Sequence, residues 1–241
     1  MYRRDRAVFL LPTLLLGALI VSCAPPAPTP EQQAAAAASA AETQANKALE
    51  LYRTLQKESA WELAAPIGQE IVDTYPSTAA ATEVAQTLAD AKAKGEQITT
   101  RRRLERLWIY QSGEESGGRQ NTASIYSSNQ AVSDRVRLVL RRHSDWGQSV
   151  YLYGDGKGFE CRGNCSLAAR FDADASAIKA YRPETGEPAL FIRDDKAFLT
   201  RLAKTQKVSI EVVEAGKAPR TLVFEVGGFD AARWPQAAKG K

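Results

Sequence analysis

The chain is poor in the residues that most catalytic and metal sites require. Among 241 residues there is one histidine, three cysteines and one methionine. A zinc centre draws on several Cys, His or carboxylate ligands converging on one point. A chain that owns only His143 and three cysteines offers little towards one. No Gly-x-Ser-x-Gly elbow is present to present a serine nucleophile, and the run Gly154-Asp155-Gly156-Lys157-Gly158 lacks the spacing of a phosphate loop and precedes no helical pattern. Charge of one sign is also scarce. The formal net charge is +4, and residues 1–22 carry three arginines against one aspartate, so the remainder is closer still to neutral. That balance argues against nucleic acid as a partner. With 44% hydrophobic and 25% charged residues, the composition is that of ordinary globular material. No cofactor is expected.

What is present begins at the N-terminus. Arg3, Arg4 and Arg6 precede a long apolar run over 7–22 that is interrupted by Pro12 and Thr13. A basic start followed by a short apolar stretch is the pattern of an export signal, and 16 residues fall short of the roughly 20 that span a bilayer as a helix. Ile20-Val21-Ser22-Cys23 resembles the lipobox of bacterial lipoproteins, in which cleavage precedes the cysteine and the thiol receives diacylglycerol. The resemblance implies lipidation of Cys23 and a membrane partner through the acyl chains, with the folded part in the periplasm. Ala24 after the cysteine matches the outer-membrane sorting of enteric lipoproteins; inner-membrane retention is the alternative. If Cys23 carries lipid, Cys161 and Cys165 are left as an even pair in an oxidising compartment, where a disulfide is the expected outcome.

The organisation expected is α+β: an N-terminal helical hairpin or stalk followed by an antiparallel β-sandwich with one helix. Residues 1–22 read as the signal peptide and 23–40 as the lipidated cysteine with a Pro/Ala-rich tether, because proline in 24–30 disfavours both helix and sheet. Residues 41–100 are helical, with Ala48, Leu51, Tyr52 and Leu55 recurring at three and four. A second helix runs over 61–75, Pro76 ends it, Ser77 or Thr78 caps a third, and 79–93 supply that helix. Residues 104–234 form the β domain. Alternating runs bounded by Gly, Asp, Asn and Pro place strands at 107–111, 122–126, 135–141, 149–153, 166–171, 178–181, 189–192, 207–213 and 221–226. A helix over 196–204 buries Phe198, Leu199 and Leu202. Residues 235–241 read as a disordered tail.

Two resemblances follow. Ala48, Tyr52, Ala60, Ala64, Tyr75-Pro76 and Ala79-Ala80 resemble one tetratricopeptide-like unit, too few for a solenoid. The second part resembles the β domain of proteobacterial envelope lipoproteins, including the type VI secretion-associated lipoproteins of the TagO or VasI kind. The residues that carry it are Trp108, Ser127-Ser128-Asn129, Leu138-x-Leu140-Arg141, Val150-x-Leu152, the Cys161/Cys165 pair, Ala169-Arg170-Phe171-Asp172, Leu190-Phe191, and Phe224-x-Val226-x-Gly228-Phe229. The resemblance implies an envelope compartment and an accessory role, with no catalytic residues to carry over.

The chemistry the residues themselves suggest is a face. Alternation along strands puts Val136, Leu138 and Leu140 on one side and Arg135, Arg137 and Arg141 on the other; Tyr151 and Tyr153 oppose Val150 and Leu152, and Arg170 opposes Ala169 and Phe171. Merged, these make an Arg/Tyr surface suited to an anionic glycan or lipid headgroup, through bidentate guanidinium bonds and ring stacking. The plainer alternative is a solvated sheet face covered by long side chains. The expected partners are an envelope protein, peptidoglycan or lipopolysaccharide. Arg101, Arg102, Arg103 and Arg106 read as a helix end or linker, His143-Ser144-Asp145 as a turn, Asp172-Ala173-Asp174 as a strand-ending turn, and Trp108 and Trp234 as core.

Overall fold

A computed structural model describes residues 27–238. The expected signal peptide, Cys23 and the last three residues lie outside this range. Three helices come first. Helix α1 spans Pro30–Lys57, starting behind Thr29, whose side chain accepts from the Gln32 backbone while the Gln32 side chain accepts from the Thr29 N–H. This reciprocal cap, with proline at the first helical position, is a strong start signal. It extends the helix back to residue 30, so the stretch read as the distal part of a Pro/Ala-rich tether is helical, and its residues 30–40 are all exposed. Helix α2 spans Trp61–Thr74 and α3 spans Ala79–Arg106, the latter capped by the Thr78 hydroxyl.

The core of the arm sets large side chains among alanines and a glycine. Ala45, Leu49 and Tyr52 of α1 meet Ala64, Gly68 and Ile71 of α2 and Val84, Leu88 and Ala91 of α3. Gly95 in α3 lies so close to α2 that a Cβ would stand 3.1 Å from the Trp61 carbonyl oxygen. Its position explains why α3 does not end there. A glycine in a helix costs about 1 kcal/mol, but here it permits close packing, and the good helix formers over 96–106 continue the helix. The expected boundary between helical segment and β domain at 100–104 therefore falls inside α3. Three of the four arginines of the basic run at its end are paired: Arg101 with Glu105 at 2.9 Å, Arg102 with Glu62 of α2 at 2.5 Å, and Arg103 with Glu225 of the β domain at 2.8 Å.

Nine strands follow: β1 Ile109–Glu115, β2 Gly118–Tyr126, β3 Arg137–His143, β4 Gly147–Tyr153, β5 Asn164–Phe171, β6 Asp174–Tyr181, β7 Ala189–Ile192, β8 Val208–Val212 and β9 Arg220–Phe224, with helix α4, Asp195–Leu202, between β7 and β8. All pairings are antiparallel and join one sheet in the order β1-β2-β3-β4-β7-β6-β5-β8-β9. The sheet folds over itself, so that Leu138, Leu140, Val150 and Leu152 share one core with Ile210, Leu222 and Phe224 from its far end. The sandwich's two layers are thus continuous. Phe198 and Leu202 of α4 enter the same core.

The free edge of β9 is covered by the β2–β3 connection. Ser128 N–H donates to the Val223 carbonyl, Val223 N–H donates to the Asn129 side-chain oxygen, and the Asn129 and Gln130 amides donate to the Thr221 carbonyl. An unpaired strand edge invites association with other chains, and these side-chain bonds close it.

Cys161 and Cys165 form a disulfide with Cα atoms 5.6 Å apart. Closing so short a loop stabilises by about 2 kcal/mol in the chain-entropy account. Replacing both cysteines by alanine is expected to lower stability by roughly that amount, as the midpoint of denaturant unfolding would report. The turn Asp172-Ala173-Asp174 ends β5 as read from sequence: the Asp172 carboxylate accepts from the Gln206 and Lys207 N–H groups, tying the β5–β6 turn to β8. The presumed tail is anchored over its first residues, since the Asn121 amide donates to the Pro235 and Gln236 carbonyls.

Candidate functional site: an arginine and aromatic face on the outer sheet

The register of β2, β3, β4, β7 and β6 decides which side chains share the outer face. Opposed residues on neighbouring strands point the same way, and the pairings form cross-sheet rows. One row holds Tyr126, Arg137 and Tyr153; the next holds Ser124, Val139, Tyr151, Phe191 and Tyr181; a third holds Thr122, Arg141 and Ser149. The middle row is a stack. Tyr151 and Phe191 rings lie 4.8 Å apart and Phe191 and Tyr181 5.4 Å apart, both near-parallel.

Guanidinium groups flank this stack on both sides. Arg137 lies 5.9 Å from the Tyr126 ring and 5.5 Å from that of Tyr153. Arg141 lies 5.1 Å from Trp146, 5.4 Å from Tyr151 and 5.9 Å from Phe191, and Arg193 caps Tyr181 at 4.0 Å. All fall within the roughly 6 Å over which a ring quadrupole attracts a cation. None of Arg137, Arg141 and Arg193 has a carboxylate within ion-pair distance among the described residues. Arg141 donates to the Ser149 hydroxyl and Arg193 to the Asn164 side chain. The positive charge on this face is held by rings and neutral acceptors, which leaves it available to an anion.

Tyr151 sits between two of these cations. Burial pushes its hydroxyl above the usual tyrosine range, while Arg141 and Arg137 pull it back down. Burial prevails, so the phenol keeps its proton at neutral pH and can donate a hydrogen bond beside two guanidiniums.

His143 is the last residue of β3, one position before the turn in which it was expected, and its role is positional. Its Nδ1 accepts from the Asp145 and Trp146 N–H groups at 3.1 and 3.2 Å, which leaves Nε2 to donate to the Glu115 carbonyl at 3.0 Å. The Trp146 ring stacks on it at 3.9 Å. The histidine thus folds Trp146 back over the sheet, within reach of Arg141.

Of the residues expected to form the face, Arg137, Arg141, Tyr151 and Tyr153 are brought together. Arg135 makes no contact with these rings among the described residues, and Arg170 is remote from them. Arg135 lies in the extended segment before β3, after the short 3-10 turn Val132–Asp134. Arg170 stands opposite Ala175 and Ser209 and donates to the Ala173 carbonyl. Ala175 and Tyr181 are six residues apart on β6, about 20 Å at ~3.3 Å per residue, which removes Arg170 from the stack. Tyr126, Trp146, Tyr181, Phe191 and Arg193 belong to the face and were not expected there. Alternation in 189–192 could have turned Phe191 outward, but nothing local says that β7 lies between β4 and β6.

Between β1 and the stack the outer face is concave, with a cavity of about 310 Å3 lined by Gln111, Gln120, Thr122, Ser124, Arg137, Val139 and Tyr151, with Gly113 at its wall. A larger groove of about 820 Å3 runs between α3 and residues 227–231. No group of three or more His, Cys, Asp or Glu side chains placed to hold a metal occurs among the described residues, and no described helix is long and apolar enough to cross a membrane.

Fold and face together define an antiparallel β domain on a three-helix arm, with a cationic aromatic outer surface. No family model matches the chain and no curated protein is similar to it, so the likeness to TagO or VasI lipoproteins and to tetratricopeptide units rests on the residues quoted for it. Among solved structures, invasion-associated protein B from Bartonella henselae is similar at 16% identity and a TM-score of 0.37, over 52% of this chain and 87% of that one. That likeness is too slight to carry function across.

Proposed function

We propose that the protein is a lipoprotein anchored through Cys23 to the periplasmic face of the outer membrane, and that its β domain binds a component of the envelope without catalysing a reaction. Service to a secretion apparatus is the most concrete form of this role; a structural or stress-protective role in maintaining the envelope is the alternative. The observation that carries the reading is the outer face, where Arg137, Arg141 and Arg193 stand among aromatic rings with no carboxylate to neutralise them. A purely solvated face would gain little from three stacked rings and three guanidiniums without an ion-pair partner among the described residues. The groups a hydrolase would enlist are already engaged: His143 Nδ1 holds the β3–β4 turn and Nε2 the end of β1, and Cys161 and Cys165 are bonded to each other. The arm, with α1 beginning near the presumed anchor, would hold the face away from the membrane surface.

The test is retention of the full chain on isolated peptidoglycan sacculi and on lipopolysaccharide. A charge-assisted hydrogen bond contributes about 1.5–3 kcal/mol, so the double variant Arg137→Ala/Arg141→Ala is expected to bind at least roughly 100-fold more weakly. Raising the salt concentration should weaken the native protein as well. Equal retention of native and variant protein would overturn the reading. Mass spectrometry of the protein from its host checks the anchor, which requires an acylated N-terminal Cys23.

A further inference from the structure

Resting on the binding role just proposed, we infer that the concavity beside Tyr151 is a saccharide subsite, which takes one acidic ring of a glycan with its carboxylate or phosphate on Arg137. Size sets the first limit. About 310 Å3 is at the lower end of ligand pockets, near 300 Å3, which suits a single ring better than a folded peptide segment. The lining sets the second. Gln111, Gln120 and Thr122 present two amides and a hydroxyl, groups that both donate and accept and so match the hydroxyls of a sugar ring. The Tyr151 ring, with Val139 at the floor, supplies the apolar surface that the ring's C–H face can meet.

Charge sets the third limit. The Arg137 guanidinium makes no hydrogen bond and no ion pair among the described residues; it lies over the two rings beside it. Tyr151 adds a protonated hydroxyl next to it. The wall on the β1 side is open because residue 113 is glycine. A Cβ built there meets nothing within 4 Å, and the backbone of Gly113 is extended within β1. This glycine therefore leaves room in the groove and is not required by the turn.

The open position supplies a probe of the site that does not touch its binding groups. Titrations of the full chain in detergent would use N-acetylmuramic acid for a carboxylate source, N-acetylglucosamine 1-phosphate for a phosphate source, and neutral N-acetylglucosamine. The expected result is at least about tenfold tighter binding of one or both acidic sugars than of the neutral one, the value of a single charge-assisted bond. Which acidic sugar prevails distinguishes a wall-derived from a lipid-derived ligand. Gly113→Trp should abolish the binding, Gly113→Ala should retain it, and Arg137→Ala should reduce the acidic sugars to the level of the neutral one. If Gly113→Trp misfolds, the pair Gln111→Ala/Gln120→Ala takes its place and should weaken all three sugars. Equal binding of acidic and neutral sugars, no binding of any, or indifference to both groove variants overturns the subsite. Should that happen while Arg137→Ala/Arg141→Ala still releases the protein from envelope material, the face remains the binding surface and only the groove is excluded.

Discussion

Gly228→Ala is expected to be among the most damaging single substitutions in the chain, whereas Gly227→Ala, one residue away, should cost little. A Cβ at Gly228 would lie 2.2 Å from the Leu104 carbonyl carbon and 2.3 Å from the Glu105 nitrogen. Both are backbone atoms in the last turns of α3, and neither can rotate aside. At Gly227 the obstructing atoms belong to the end of the Gln206 side chain, which can choose another rotamer. Overpacking in a core costs about 1–3 kcal/mol when side chains yield, and a backbone collision should reach or exceed the top of that range. The consequence is specific to the join between arm and sheet. Gly228 sits beside the Arg103–Glu225 ion pair and beneath Leu104, which is buried, so α3 must either move away or lose its last turn. Thermal unfolding should fall by at least roughly 6–12 °C for a chain of this size, and trypsin should cut more readily after the arginines at 101–106. A Gly228→Ala variant that melts with the native protein would show that the contact between arm and sheet is not maintained in solution.

The contrast between these glycines illustrates what was legible in the sequence. Each of the nine strands and α4 overlaps the stretch where period-two alternation or a short apolar face placed it, although β1 is displaced to Ile109–Glu115 and β2 and β6 begin four residues earlier; those signals are local, and Leu167, Ala169 and Phe171 face the core whatever strand lies beside them. Pairing is not local. β7 inserts between β4 and β6 through only a few backbone pairs, and that insertion brings Phe191 between Tyr151 and Tyr181. Without it the face would lose the stack of Phe191 and Tyr181 and the cation of Arg193. Arg170 satisfied the alternation rule yet lies far along the sheet, since alternation fixes the side of a residue and says nothing about its row. The helices erred in length for a related reason. Gly95 reads as a helix breaker until its close approach to Trp61 is known, and the cap formed by Thr29 and Gln32 overrides the proline-rich character of the residues before it.

The second large effect is expected at Trp234, which ends the fold. Its ring is buried, packs edge-on against Phe229 at 6.0 Å, and its indole N–H donates to the Asn121 carbonyl at 3.0 Å. The Arg142 guanidinium lies 3.8 Å over the ring and donates to the Trp234 carbonyl at 2.5 Å. Burial lowers the proton affinity of Arg142 below its ordinary value, so this is a cation partly withdrawn from water and held there by an aromatic face. Trp234→Ala removes the ring that fills the site and the partner of the cation together, and a loss of about 3–5 kcal/mol is expected for the cavity alone. Arg142→Ala should cost less, and the double variant should cost less than the sum of the two by about 1 kcal/mol, the coupling of a partly desolvated cation and a ring. Denaturant midpoints of the four proteins measure all three quantities; a Trp234→Ala penalty below about 1 kcal/mol would mean that the segment is not docked. Arg141 and Arg142 alternate across β3, one serving the outer face and the other this staple. The binding face should therefore retain its affinity in Arg142→Ala under conditions where the protein is folded, while Arg141→Ala leaves stability nearly intact and weakens binding.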